Sequence, residues 1–288
     1  MPASQDTERF VPSVRNYRHP VAASHVAAVL RRMIVGGELP DGSSLPRQED
    51  LGTQFGVSHP SIREALRMLE TEGLVTVQRG NRGGAVVHSP DATGAAFTIG
   101  LVLERQRTPL HDVGEALARV ELECGVLCAR AADRADRIVP VLERMNNKAS
   151  ELIGGPAGPY VDESRAFHDA LIELSGNRTL TVIAGALSVL WKGQVNRIDR
   201  IEADTEKTVK GERFVTADRS SGLQAHYAAV EAIADGDEER VRHVLSAHGD
   251  EANSFWTRLE GLKLVDVTSD GLEALRLIAK PSPGTWGA

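Results

Sequence analysis

The chain has 288 residues, 41% of them hydrophobic, a length that suits two domains and a composition that excludes disorder along the whole chain. No apolar run approaches the roughly 20 residues of a membrane-spanning helix, and the N-terminal MPASQDTERF lacks the apolar core of a secretion signal, so the expected location is the cytoplasm, with no membrane partner. The net charge of −7 does not exclude nucleic acid, because the ten arginines of residues 1–92 are matched by ten acidic residues and the whole deficit falls on the rest of the chain.

Residues 1–20, polar and carrying three prolines, read as a flexible arm. A helix is expected from about Ala22 to Val35, with Val26, Val29, Leu30 and Ile34 on one stripe. The run GGELPDGSSLP (36–46) then breaks regular structure. A short helix covers about Arg47 to Phe55 and stops at Gly56. Ser58 is a good N-cap for the next, which tolerates Pro60 in its first turn and ends near Gly73. Two β-rich runs follow, LVTVQ (74–78) and GAVVH (84–88), joined by the turn RGNRG. Residues 91–111 read as a linker with a short helix. From Asp112 to about 260 the pattern is helical, with breaks near 154–158, Gly176, 203–222 and Gly236, and 261–288 reads as a patternless tail. Cys124 and Cys128, four apart in a helical pattern, suit neither a zinc ribbon nor a thioredoxin-like motif and are expected as small buried side chains. The fold class is mainly α: a winged helix-turn-helix over 21–90 and an all-α bundle over 112–260.

In the third helix Ile62, Ala65, Leu66 and Leu69 must face a core, which leaves His59, Arg63 and Arg67 on the opposite face. A helix that presents Ser58, His59, Ser61 and Arg63 at its N-terminal end suits the major groove. Arginine there reads guanine bidentately, while serines and backbone N–H groups hold phosphates. Arg47 starts the preceding helix, where its charge and free N–H groups suit the DNA backbone. Arg79 and Arg82 flank Gly80 and Gly83 in the turn of the wing. Taken singly, each arginine reads as solvated surface; taken together in this order of elements, they read as a surface for double-stranded operator DNA.

The run GELPDGSSLPRQEDLGTQFGVSHPSIREALRMLETEGLVTVQRGNRGGAVV (37–87) resembles the DNA-binding domain of the GntR family of bacterial regulators. The resemblance implies DNA contacts at Arg47, Ser58, Ser61, Arg63 and Gly80. Where the family usually has arginine after V-S, this chain has His59, so the family's base preference does not transfer.

In the helical half His168, His226 and His248 each fall beside an apolar stripe, whereas His243 lies between the rows. Singly, each suits a hydrogen-bonded core histidine; together they suit a metal or ligand site inside a bundle. The segments FHDALIELSGN (167–177) and HYAAVEAIADGD (226–237), followed by His248, resemble the FCD ligand-binding domain of FadR-like members of that family. The resemblance implies a divalent metal, zinc or similar, on the three histidines, and a small organic carboxylate held with its help. Such domains carry an aspartate four residues before the first histidine, but this chain has Ser164 there. Asp162 is near in sequence yet about 120° away around an ideal helix. Three outcomes stay open: Asp162 swings in on a late-starting helix, water completes the site, or no metal binds. The family also tends to place arginine four residues before a glutamate in the first helix of this domain. With Glu121 as that glutamate, Leu117 holds the arginine position; Arg119 with Glu123 restores the spacing and makes Arg119 the candidate effector contact.

The expected protein is thus a homodimeric, ligand-responsive transcriptional regulator, repressor or activator, and not an enzyme. Two alternatives remain: a metal-dependent hydrolase that activates water on the three histidines, or a regulator whose metal is structural or absent. The first lacks an obvious general-base carboxylate, a nucleophile motif and a phosphate loop.

Overall fold

The computed structural model describes residues 19–78, 84–155, 157–205, 210–258 and 264–268, and the chain divides between Gly94 and Ala95 into two compact units. In the first, α1 (His19–Val35), α2 (Gln48–Phe55) and α3 (His59–Thr71) precede β1 (Val75–Val77) and β2 (Ala85–Val87). The stripe on α1 and the Ile62, Ala65, Leu66, Leu69 stripe on α3 pack together with Leu51 and Phe55 of α2 and with Val75 and Val87 of the strands. Gly56 ends α2 at φ 65, a left-handed conformation that favours glycine, and lets the chain turn within three residues into α3. Strands β1 and β2 pair antiparallel, Val75 opposite Val87 and Val77 opposite Ala85. Part of the segment expected to lack regular structure adds to this sheet: Leu45 donates to Ala85, Val87 donates to Ser43, and Ser44 bridges Val86.

The second unit is helical, with α5 (Leu110–Arg130), α6 (Val139–Leu152), α7 (Ala157–Leu174), α8 (Arg178–Thr205), α9 (Lys210–Asp235) and α10 (Glu238–Arg258), and a short π-helical turn at Arg134–Ile138. Its main core gathers Leu122 and Val126 of α5, Leu142 of α6, Phe167 and Leu171 of α7, Val230 and Ile233 of α9, and Val241 and Leu245 of α10. Helices α5 and α10 approach closely because small residues meet. A Cβ on Gly125 would lie 2.5 Å from Leu245 and one on Gly249 2.8 Å from Ala118. Cys124 and Cys128 are buried and unbridged; burial pushes the Cys128 thiol up to about 12.

Three expectations are corrected. Residues 91–111, expected as a linker with a short helix, contain more helix than that. They hold the 14-residue α4 (Ala92–Arg105), and Ala96 joins Val113, Leu190, Val265 and Val267 in a core of the second unit. The break at 203–222 is helical where described, at 201–205 and from Lys210 onward. Apolar periodicity reports burial, and a polar run lacks it without losing helicity; propensity, poor here with several Thr, Ser and Gly, is only a weak prior that tertiary context overrides. The tail is not patternless throughout: Val265 and Val267 are buried, and Glu104 accepts hydrogen bonds from Val267 N (2.8 Å), Thr268 N (3.1 Å) and Thr268 Oγ1 (2.6 Å). A stretch this short gives period-two alternation no statistical weight, so its burial is decided by contacts with α4 and α8. Among the described residues no helix is long and apolar enough to cross a membrane.

Candidate nucleic-acid interface and candidate metal centre

The outer face of α3 is built as its periodicity requires: His59, Arg63 and Arg67 are exposed, as are Ser58 before it and Arg47 at the N-cap of α2. Arg67 lies 3.8 Å from Glu64, an exposed contact that water screens and that leaves the guanidinium available. No ion pair holds Arg47 or Arg63 among the described residues. Ser61 is a correction. It is only 2% exposed, its hydroxyl sits 3.0 Å from that of Ser58, and its N–H donates to Ser58 O. Neighbouring Ile62 faces the core, and the 100° step back to Ser61 keeps that side chain under the helix edge. Arg79, Gly80 and Arg82 lie outside the described residues.

In the helical unit α7, α9 and α10 bring three imidazoles to one point. The Nε2 atoms of His226 and His168 are 3.2 Å apart, those of His226 and His248 also 3.2 Å, and those of His248 and His168 3.4 Å. A zinc ion bound tetrahedrally at about 2.0–2.1 Å from each nitrogen requires N···N separations of about 3.3 Å. The donor set therefore fits a divalent metal without rearrangement. Phe167 stacks on His226 with centroids 4.1 Å apart, which fixes that ring from the core side.

On the outer side of His168, Glu121 of α5 approaches Nδ1 at 3.0 Å. A carboxylate there keeps the proton on Nδ1 and turns the Nε2 lone pair toward the centre. Burial alone would lower the His168 pKa, but the charge and hydrogen bond of Glu121 outweigh it and the group stands above its usual value. Burial, and then its two neighbouring histidines, hold His226 well below the usual value. His248 is lowered to about 4, again chiefly by burial. Two of the three are thus held as neutral imidazoles, the form a metal requires.

His168 and His248 open onto a cavity of about 280 Å³ whose walls include Leu117, Glu121, Ser164, Ser188, Trp191 and Lys192. One of the three open outcomes is removed here, and one expectation is corrected. Helix α7 begins at Ala157, not late, and Asp162 is exposed on it, outside the group of converging ligand atoms. Ser164, one turn before His168, lines the cavity instead. Arg119 lies elsewhere: about half exposed, it reaches Ser246 (3.3 Å), Asp250 (3.8 Å) and Glu115 (3.8 Å) along an open groove that includes Glu123 and Arg242. Two residues from Glu121 is about 200° of helix, so the two side chains cannot share a wall, whereas Leu117, one turn back, does. Lys192, Trp191 and Asp169 belong to the cavity and were not anticipated. The i, i+3, i+4 spacing of Ser188, Trp191 and Lys192 on α8 carries the signal that would have found three of these wall residues together.

Residues 22–87 match the family of bacterial regulatory proteins, gntR family, and residues 112–251 match the FCD domain. The chain is 25% identical over 264 residues to the HTH-type transcriptional repressor NanR of Klebsiella aerogenes, which covers 89% of this chain and 95% of that protein. It is 29% identical over 176 residues to the Uxu operon regulator of Haemophilus influenzae, 60% of each chain. The fold also matches that of a Streptococcus agalactiae GntR structure, with a TM-score of 0.55 and 19% identity over 81% of this chain and 99% of that one. On these matches residues 22–87 are a DNA-binding domain of the gntR type and residues 112–251 an FCD domain, and the chain is a DNA-binding transcriptional regulator rather than an enzyme.

Proposed function

We propose that this regulator is a homodimeric repressor whose operator affinity responds to a small organic carboxylate bound in the α5–α10 cavity beside a divalent metal on His168, His226 and His248. The observation that carries the reading is the meeting of three Nε2 atoms within 3.4 Å at the wall of a cavity large enough for a small ligand. Bound there, the metal supplies a Lewis-acid position open to a ligand oxygen. His226 and Phe167 hold the centre from the core, Glu121 sets the His168 tautomer, and Ser164 offers a hydroxyl or a water where a fourth protein ligand would otherwise stand.

On the DNA side, Arg47, Ser58, His59, Arg63 and Arg67 make the contact surface, with Arg63 reading a base and Arg47 and Arg67 holding phosphates. The wing turn with Arg79 and Gly80 completes it. A dimer matches two half-sites of an operator, and the repressor role follows the NanR relatives. Metal content of the purified protein, measured with His168→Ala and His226→Ala, tests the centre: one equivalent in the wild type, lost in both variants, supports it. Metal-free wild-type protein in zinc-containing buffer overturns it. Binding to DNA from beside its own gene, weakened by salt and by Arg63→Ala, tests the other half.

A further inference from the structure

Resting on the cavity reading above, the geometry points to Lys192 as the residue that anchors the anionic end of the effector, and to effectors that carry a second oxygen function for the histidine end. Lys192 lines the same cavity as His168 and His248, on α8 opposite the helix that carries His168. Its side chain is 23% exposed, so the ammonium is held at the cavity rather than trailing in solvent. The present counter-charge is Asp169, whose two oxygens lie 3.1 and 3.3 Å from Nζ and which directly follows His168. Asp169 is the more exposed partner, at 44%, and can turn outward when another carboxylate arrives.

Arg119 faces the outer groove and Leu117 presents an apolar wall, so helix α5 brings no cation to the cavity; the cations on its wall are Arg165 of α7 and Lys192 of α8, and Lys192 is the one whose carboxylate partner is exposed. A lysine ammonium reads charge without the planar fork of arginine, and therefore asks for a negative group but not for one fixed orientation. Trp191, adjacent on α8, gives the cavity an apolar surface against which a carbon skeleton lies. The ligand class is thus a compact hydroxy acid, dicarboxylate or sugar acid, with one carboxylate at Lys192 and another oxygen at the histidines. A simple monocarboxylate satisfies one end alone.

Zinc-loaded full-length protein titrated with citrate, D-glucuronate, succinate and acetate, by calorimetry and thermal shift, tests this. At least one of the first three binds more tightly than acetate. Lys192→Met weakens that binding tenfold or more, Lys192→Arg largely restores it, and Asp169→Asn strengthens it by removing the competing carboxylate. A merely structural Lys192–Asp169 pair predicts parallel losses in Lys192→Met and Asp169→Asn. That result, undiminished binding in Lys192→Met, or no binding of any of the four to the wild type overturns the proposal. Zinc stoichiometry, measured separately, tells the two readings apart: a protein that binds the anion through Lys192 without binding zinc loses the metal centre and keeps the anchor.

Discussion

The two halves of the chain build their sites in opposite ways. The residues proposed to face DNA, Arg47, Ser58, His59, Arg63 and Arg67, occupy one short span and stand on the outside of helices whose inner faces make the core. The histidines come from α7, α9 and α10, and their second partner from α5; His226 is 1% exposed and stacks on core residue Phe167. A site on the outside of a scaffold is separable from stability, whereas a site inside the core is not.

The substitution expected to cost most is Phe167→Ala. It empties a fully buried position against His226 and should destabilise the helical unit by about 3–5 kcal/mol and weaken metal binding with it, read by chemical denaturation and metal titration. Arg63→Ala is its counterpart on the outside: a loss of about 1–3 kcal/mol in operator binding with the unfolding midpoint unmoved. If Arg63→Ala also lowered the midpoint, the separation of surface from core would fail for the first unit. Glu121→Gln sharpens the contrast within the metal centre, since it removes a charge outside the ligand set yet should lower metal affinity by about 10–100-fold. An unchanged affinity would mean that the Nδ1 contact does not set the tautomer.

Acid should act on the inside site. His226 and His248 sit below the value of about 6.5 they have when unfolded. Unfolded chains therefore take up more protons between pH 6.5 and about 4, and the metal-free protein loses stability as pH falls through that window. His168, raised above its usual value, contributes in the opposite sense and offsets part of the loss. Denaturation midpoints of metal-free protein at pH 7 and pH 5 should therefore fall with acid, and by less in His248→Gln. The smallest expected effect is Arg67→Ala, which should reduce the slope of log K against log salt by about 1, with little change in base preference.

The first unit was legible almost residue by residue because its information is local: a stripe of period 3.6, a cap, a left-handed glycine and a period-two pair of strands each constrain their own neighbourhood. Even there Ser61 was misplaced, since a 100° step at the edge of a stripe decides between groove and core, and only packing resolves it. In the second unit helix existence was readable, and the three histidines stood out beside their apolar rows. Their convergence was not readable, because it depends on how α7, α9 and α10 cross, and single-helix periodicity carries no crossing angle.

What the amino-acid sequence determined by itself was the order of elements, the outward face of α3 and the set of histidines that lie toward a core. Tertiary structure alone decided that Arg119 lies outside the cavity and that Lys192 lines it. It also decided that Val265 and Val267 are core rather than tail. The physical reason is the same in each case. Periodicity says which side of a helix avoids water, but a cavity wall is shared by several helices, and which residues meet there depends on separations of many positions along the chain that no local pattern records.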